Sequence, residues 1–488
     1  METEEREDSY SHILKYTGIF GGVQGLNILM GIVRNKFAAL FLGPSGMGLV
    51  SLFNSTVSLI VSATNFGIPT SGVKAIAEHK EHPDEQISII RTFTLAAAVI
   101  GLLVCALSGY FFNLFAFSWG NHTLHFVLLS PTVFFTILAG GETAVLKATG
   151  QLKALAVYSL AVVAMSLAIS VPLYWKWGEQ GIIAVLFLLA FSQWATACTL
   201  SRRKHPLRFC FCRKALMQGV PLLRLGMAFV LAGMMNSGAE FLVRAYMNNN
   251  GDLEMVGLFN AGVTIVIVYA GMIFSVMESD FYPRLSAIKE KGEELNLCVN
   301  RQLETNVMLI GPTICAMILA LPIIIPLLYN SAFMGMLRMT QIAALGMLFR
   351  AVYLPIEYLP LSRGESKVFL VQESFCVVLL ITCEIIGYDI GLKYYGKGLC
   401  GLGCGIVAAY AIETVALIVF SRRHYGYAMS SKGVMCTLFC LLCNISMLLA
   451  TFIDYHSFSY WLVGSIITAV CFVFSGIQIR NNLHSARR

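Results

Sequence analysis

Arg34 stands in an apolar run with no Asp or Glu within four positions on either side, so no partner one helical turn away neutralises it. A guanidinium so placed offers a planar fork of donors that matches paired oxyanion oxygens. At about 100° per residue, Gln24, Asn27, Gly31 and Arg34 fall on one face of a helix. Ser51, Asn54, Ser58, Ser62 and Asn65 make a second polar stripe, and Gly233, Asn236, Glu240 and Arg244 a third. Asn260, Thr264, Gly271, Ser275 and Glu278 make a fourth, and Arg350, Tyr353 and Glu357 share one face beside a helix-bending Pro355. Charged stripes of this kind read as the wall of a wet cavity; uncharged ones serve equally well as hydrogen-bonding glue between helices. Arg244, four residues after Glu240, fits an ordinary i,i+4 ion pair as well as a binding role. Lys74 and Lys147 fall at the ends of apolar runs, placed either to meet an incoming anion or to anchor the chain at an interface.

Carboxylates within apolar runs, Glu142, Glu240 and Glu357 together with Glu373, Glu384 and Glu413, are the candidates for carrying a coupling proton or sodium ion between two states; the sequence does not choose among them. Nothing points to covalent chemistry. His122 and His125 have no Ser or Cys constellation around them, and the glycines at 401, 403 and 405 read as close helix packing. The 14 cysteines sit mainly in apolar runs without paired CxxC spacing, as small apolar residues. No catalytic residue, metal site or cofactor is expected.

These side chains must be positioned by membrane-spanning elements. Of 488 residues, 57% are apolar and 12% charged, and the mean hydropathy is +0.73, against roughly 25% charge in soluble domains. A spanning helix needs about 20 apolar residues. Fourteen windows of that kind fit: 13–42, 46–66, 92–116, 123–148, 153–174, 180–200, 219–246, 255–278, 304–329, 335–361, 368–388, 399–420, 433–453 and 458–478. Continuous apolar runs exclude a β-barrel. The acidic start, Met1 to Tyr10, lacks the basic region of a cleaved signal, so the first helix is expected to act as an uncleaved one.

The net charge of +7 argues for orientation rather than for nucleic acid. Arg202, Arg203, Lys204, Arg208, Arg213 and Lys214 share one loop; Arg284, Lys289, Lys291 and Arg301 lie around another; Arg422, Arg423 and Lys432 lie around a third. Loops on the opposite side hold Lys176, Lys393 and Lys397. That asymmetry predicts both termini in the cytoplasm.

The two halves also repeat. Val50-Ser51-Leu52-Phe53-Asn54 lies on Val256-Gly257-Leu258-Phe259-Asn260, Thr149-Gly150-Gln151 on Arg363-Gly364-Glu365, and Ser201-Arg202-Arg203 on Ser421-Arg422-Arg423. Each match falls at the same point of a six-helix unit. The expected organisation is an N-terminal bundle, 1–214, a C-terminal bundle, 215–432, and two additional spans with a short tail, 433–488. Units of six crossings repeat in the same orientation, as in transporters that rock two lobes about a central site.

Leu42-Gly43-Pro44-Ser45-Gly46-Met47-Gly48 resembles the LGPxGxG turn of bacterial polysaccharide flippases. Phe66-Gly67, Ser71-Gly72-Val73-Lys74 and the stretch from Val256 through Phe281-Tyr282-Pro283-Arg284-Leu285 follow the same pattern. The chain is similar over its whole length to Wzx-type O-antigen and lipid III translocases of the multidrug/oligosaccharidyl-lipid/polysaccharide exporter superfamily. The resemblance implies two six-helix bundles around a V-shaped cavity, in a bacterial inner membrane. It implies a flippase carrying undecaprenyl-pyrophosphate-linked oligosaccharide repeat units to the periplasmic leaflet by alternating access. Partners would be that lipid-linked oligosaccharide, membrane lipids, H+ or Na+, and the polysaccharide polymerase machinery. The alternatives are a multidrug/cation antiporter of the same superfamily, which would favour an acidic or aromatic cavity, and a membrane glycan polymerase or ligase. The last would need a large external loop with catalytic residues, and the longest external loop expected here is short.

Overall fold

A computed structural model describes the backbone of residues 2–78, 83–117, 121–210, 213–288 and 292–486. Within these, the side chains of 2–24, 28, 78, 211–225, 228–229, 268–270, 272–273, 275–280 and 483–486 are outside the description. The described chain is helical and contains no strand. By packing it divides into two units, Met1–Val256 and Gly257–Arg488.

The first unit holds α1 (Glu2–Thr64), α2 (Ile68–Glu78), α3 (Pro83–Ala116), α4 (Thr123–Leu128), α5 (Ser130–Ala148), α6 (Leu152–Trp177), α7 (Ile182–Arg202) and α8 (Arg213–Asn250). Helix α9 (Leu253–Val263) crosses the boundary. The second unit continues through a π-helical stretch (Thr264–Tyr269) to α10 (Ala270–Ala287), α11 (Glu293–Leu328), α12 (Leu337–Ser362), α13 (Ser366–Tyr395), α14 (Gly398–Tyr425), α15 (Ser431–Ala450) and α16 (Phe458–Ala486). Ten described segments are long and apolar enough to cross a membrane. One of them, Leu152–Arg202, contains two of the fourteen sequence windows, and another, Gly25–Thr64, overlaps the first two. The windows 219–246 and 255–278 fall on α8 and on α9 with α10.

Backbone chemistry explains the paired windows. Gly43 breaks α1 at φ +64°, a conformation open to glycine at little cost, and Pro44 restarts the helix without an amide donor. At the far end, Phe66 and Gly67 both have positive φ, and the Asn65 Oδ1 accepts the Gly67 amide at 2.8 Å. Gly226 of α8 lies directly on this turn; a Cβ there would come within 1.9 Å of the Phe66 carbonyl oxygen. Helix α8, assigned by sequence to the second bundle, thus packs on α1, α2 and α3 of the first unit. Matched repeat positions also share their geometry: Gly150 and Gly364 turn the chain at φ +65° and +72°.

In the second unit α11 is the central strut, packed against α12, α15 and α16. Asn300 fixes the chain between α14 and α15. Its Nδ2 donates to the Ala428 carbonyl at 2.8 Å, and its Oδ1 accepts from the Tyr427 hydroxyl and the Ser430 amide, both at 3.0 Å. Burial and the nearby Glu304 carboxylate push the Tyr427 phenol above its ordinary pKa, so it stays a donor. Asn444 of α15 donates to the Gly311 and Cys440 carbonyls, which ties α15 to α11.

Lipid hydrocarbon gives apolar side chains no reason to leave it, so close backbone approach does much of the packing. Helices α13 and α14 meet at glycines: a Cβ on Gly401 would stand 2.0 Å from the Gly387 carbonyl oxygen, and one on Gly405 2.3 Å from that of Cys383. Substituting Gly401→Leu should separate the pair and destabilise the second unit by about 1–3 kcal/mol or more. The check is thermal unfolding in detergent, against Gly476→Leu, where a Cβ meets nothing within 4 Å.

Candidate functional site

Four helices of the first unit enclose a cavity of about 290 Å³. Helix α1 contributes Arg34, Asn35, Asn54 and Ser58; α5 contributes Thr132 and Thr136; α6 contributes Ser170 and Tyr174; α7 contributes Gln193. The break at Gly43 makes this possible, because it brings Arg34 and Asn54 to one cavity from the two arms of a single helix.

Arg34 has one hydrogen bond among the described residues, a long 3.5 Å contact from Nη2 to the Asn35 Oδ1. Among the described residues it makes no ion pair, and no Asp or Glu lines the cavity. The remaining polar lining groups are hydroxyls and amides, which both donate and accept, and apolar side chains such as Met47, Val50, Leu186 and Leu189 complete the wall. The site therefore offers, among the described residues, one cation without an acidic partner beside neutral hydrogen-bonding groups, inside a membrane-spanning bundle. On the residues before Arg34, a Cβ at Gly31 would meet nothing within 4 Å, and the buried Asn27 Oδ1 has no partner among the described residues. The side chain of Gln24 lies outside the described residues.

The second stripe divides. Asn54 and Ser58 face the cavity, whereas Ser51 and Ser62 hold α8: the Arg244 Nε donates to the Ser51 Oγ at 2.7 Å, and Ser62 bonds Ser237 at 3.1 Å. Asn65 is spent on its turn. Arg244 also pairs with the Glu240 carboxylate at 3.1 Å, so these two neutralise each other. Asn236 and Lys74 are exposed and Asn260 is half-buried in α9; the cavity takes in none of the three.

Glu142 sits elsewhere. It receives both Arg91 Nε and Nη2, at 2.8 and 3.0 Å, and both side chains are more than nine-tenths buried. Arg91 donates further to the Ser201 hydroxyl and to the carbonyls of His205 and Pro206, pinning the segment that follows α7.

A second cluster lies within the second unit, where Arg350, Tyr353 and Glu357 of α12 meet Glu373 and Cys376 of α13 and Tyr410 and Glu413 of α14. The Tyr353 ring stands 5.9 Å from that of Tyr410, and the packing of α12 and α13 on α14 gathers the carboxyls of Glu357, Glu373 and Glu413 on three adjoining helices.

Sequence reasoning had named Arg34 and Asn54 but not Thr132, Thr136, Ser170, Tyr174 or Gln193. A signal was present: Thr132 with Thr136, and Ser170 with Tyr174, are i,i+4 pairs on single helix faces.

The all-helical units, with ten described segments long and apolar enough to cross a membrane, define a polytopic all-α membrane protein. The fold is similar to that of the lipid II flippase MurJ in an inward closed conformation, with a TM-score of 0.71, 15% identity, and 95% of this chain and 99% of that one covered. It is also similar to an inward-facing multidrug resistance MATE family transporter of the MOP superfamily (TM-score 0.64, 14% identity, 82% and 94% covered). A MOP superfamily transporter from Pyrococcus furiosus, described as having a reversed binding-pocket polarity, aligns at a TM-score of 0.55 and 15% identity, with 84% and 93% covered. No curated protein matches by sequence. Residues 38–338 match the polysaccharide biosynthesis protein family, and the chain belongs to that family.

Proposed function

We propose that this protein is a flippase for undecaprenyl-pyrophosphate-linked oligosaccharide repeat units, working by alternating access from the cytoplasmic to the periplasmic leaflet. The observation that carries this reading is Arg34, a cation without an acidic partner among the described residues, in a cavity whose other polar lining groups are hydroxyls and amides. A pyrophosphate needs a cation to replace its water, and sugar hydroxyls need groups that both donate and accept. The lipid tail can remain in the bilayer. The polysaccharide biosynthesis family supports a lipid-linked glycan as the cargo. A cation antiporter would be poorly served by an unpaired guanidinium in its pocket. The test is the leaflet in which lipid-linked repeat units accumulate when the gene is deleted: build-up on the cytoplasmic face supports the flippase, and unpolymerised units on the outer face would replace it with a polymerase.

Coupling, in the same reading, belongs to Glu357, Glu373 and Glu413 beside Arg350, where three carboxyls come together from the packed helices α12, α13 and α14. Glu142 and Glu240 are committed to Arg91 and Arg244. Glu357→Gln is expected to leave transport in liposomes insensitive to an imposed proton gradient while binding persists. Unchanged gradient dependence would remove the cluster from coupling.

A further inference from the structure

A second cavity lies in the second unit, at the end where α11 begins and α16 ends. It has a volume of about 640 Å³ and is bounded by α11, the start of α15 and the end of α16. Along α11 its lining changes character. Glu293, Asn296, Asn300, Arg301 and Glu304 come first, then Thr305, Met308 and Leu309, with Lys432 and Ile479 opposite. At 1.5 Å per residue, the wall passes from a charged rim to an apolar floor within a few turns. Charge asymmetry along the chain puts this end at the cytoplasmic interface.

Among the described residues, Glu293, Arg301, Glu304 and Lys432 make no ion pair. Lys432 donates to the Asn482 Oδ1, and Arg301 is exposed. Glu304 is only 7% exposed, yet among the described residues its carboxylate has one hydrogen bond, from the Ser430 hydroxyl at 2.7 Å. A carboxylate so deeply placed against the groove, with one donor, calls for a cationic partner.

We infer that this groove holds an aminophospholipid of the phosphatidylethanolamine class. Its phosphate lies against Arg301 and Lys432, its primary ammonium on Glu304, and one acyl chain over Met308, Leu309 and Ile479. The mixture of signs selects the occupant. A purely anionic headgroup would set a negative charge beside Glu304, and inorganic phosphate has nothing to cover the apolar floor. A choline headgroup carries positive charge but no N–H donor for the carboxylate. Basic pockets between spanning helices at the cytoplasmic face are known lipid sites; this one adds a carboxylate.

The test is lipid retention by the purified full-length protein in detergent, read by native mass spectrometry with phosphatidylethanolamine, phosphatidylglycerol and phosphatidylcholine in competition. Phosphatidylethanolamine should be held about tenfold over the other two, the worth of one charge-assisted hydrogen bond. Glu304→Gln should erase the preference over phosphatidylcholine. Thr305→Trp, which fills the groove and leaves every charge in place, should remove retention of all three with an unchanged unfolding temperature. It also decides the matter if the Glu304 variant does not fold. Equal or stronger retention of phosphatidylglycerol, or retention untouched by Thr305→Trp, overturns the assignment. So does displacement of the lipid by undecaprenyl phosphate, which would give the groove to the carried lipid. No transport is measured, so a failure here is separate from a failure of the flippase reading.

Discussion

Arg34→Gln is expected to lower translocation of a prenyl-pyrophosphate-linked oligosaccharide by on the order of a hundredfold, without changing membrane insertion or the unfolding temperature. Arg34 contributes one 3.5 Å contact to the protein itself, and a contact that long adds little stability. Its worth lies in the loaded state, where a charge-assisted hydrogen bond contributes about 1.5–3 kcal/mol and a bidentate contact more. Glutamine keeps hydrogen bonding and loses the charge, so the change isolates electrostatics. Arg34→Lys should recover part of the rate, since it restores a point charge without the planar fork. Asn35→Ala, which removes one neutral lining amide and keeps the cation, should cost much less than Arg34→Gln. The same series distinguishes the rival: in a cation antiporter, removing an unpaired cation relieves repulsion and leaves transport equal or faster. Initial rates in proteoliposomes, with oligosaccharide accessibility as the readout, decide between the two.

Arg34 was legible in the sequence because a charge in an apolar run is conspicuous whatever packs around it. The same holds for the kink at Gly43-Pro44 and the positive-φ turn at Phe66-Gly67, both local events written in residue type. Side-chain facing is different. Ser51, Asn54, Ser58 and Ser62 share one stripe, yet two of them face the cavity and two bond to α8, because a polar face wide enough for four residues touches more than one neighbour. Periodicity within a helix gives direction but does not say which helix lies there. Glu142 shows the same limit. As a lone carboxylate in a span it read as a proton carrier, and its partner stands 51 residues earlier on another helix. The Arg350, Tyr353 and Glu357 face was visible along α12, while Glu373 and Glu413 join it only through the packing of α13 and α14. Helix α8 reads as the start of a second bundle by repeat matching, but the glycine contact at Gly226 seats it on the first unit.

Breaking the Arg91–Glu142 pair should be the most destabilising single change outside the cavity. Removing one partner of a buried, hydrogen-bonded ion pair strands the other charge and costs about 3–5 kcal/mol. Arg91→Leu would leave the Glu142 carboxylate 7% exposed with no cation, and would also strip donors from Ser201, His205 and Pro206. Those last contacts hold the chain between α7 and α8, where His205 also meets Asp84 at 2.7 Å and the Cys210 amide bonds the Thr92 hydroxyl at 2.9 Å. Loss of Arg91 therefore loosens the route into α8 as well as the α3–α5 contact. Glu142→Gln should cost less, because an uncharged amide leaves Arg91 with its three other acceptors. The double change Arg91→Leu with Glu142→Leu should recover much of the loss, as apolar replacement of a buried pair often does, but not the linker contacts. Unfolding temperatures of the four proteins in one detergent give the order: wild type highest, then Glu142→Gln, then the double variant, then Arg91→Leu. If Arg91→Leu instead unfolded with the wild type while transport lost its gradient dependence, Glu142 would be a titrating group in the cycle, and the carboxyl cluster beside Arg350 would lose its place to it.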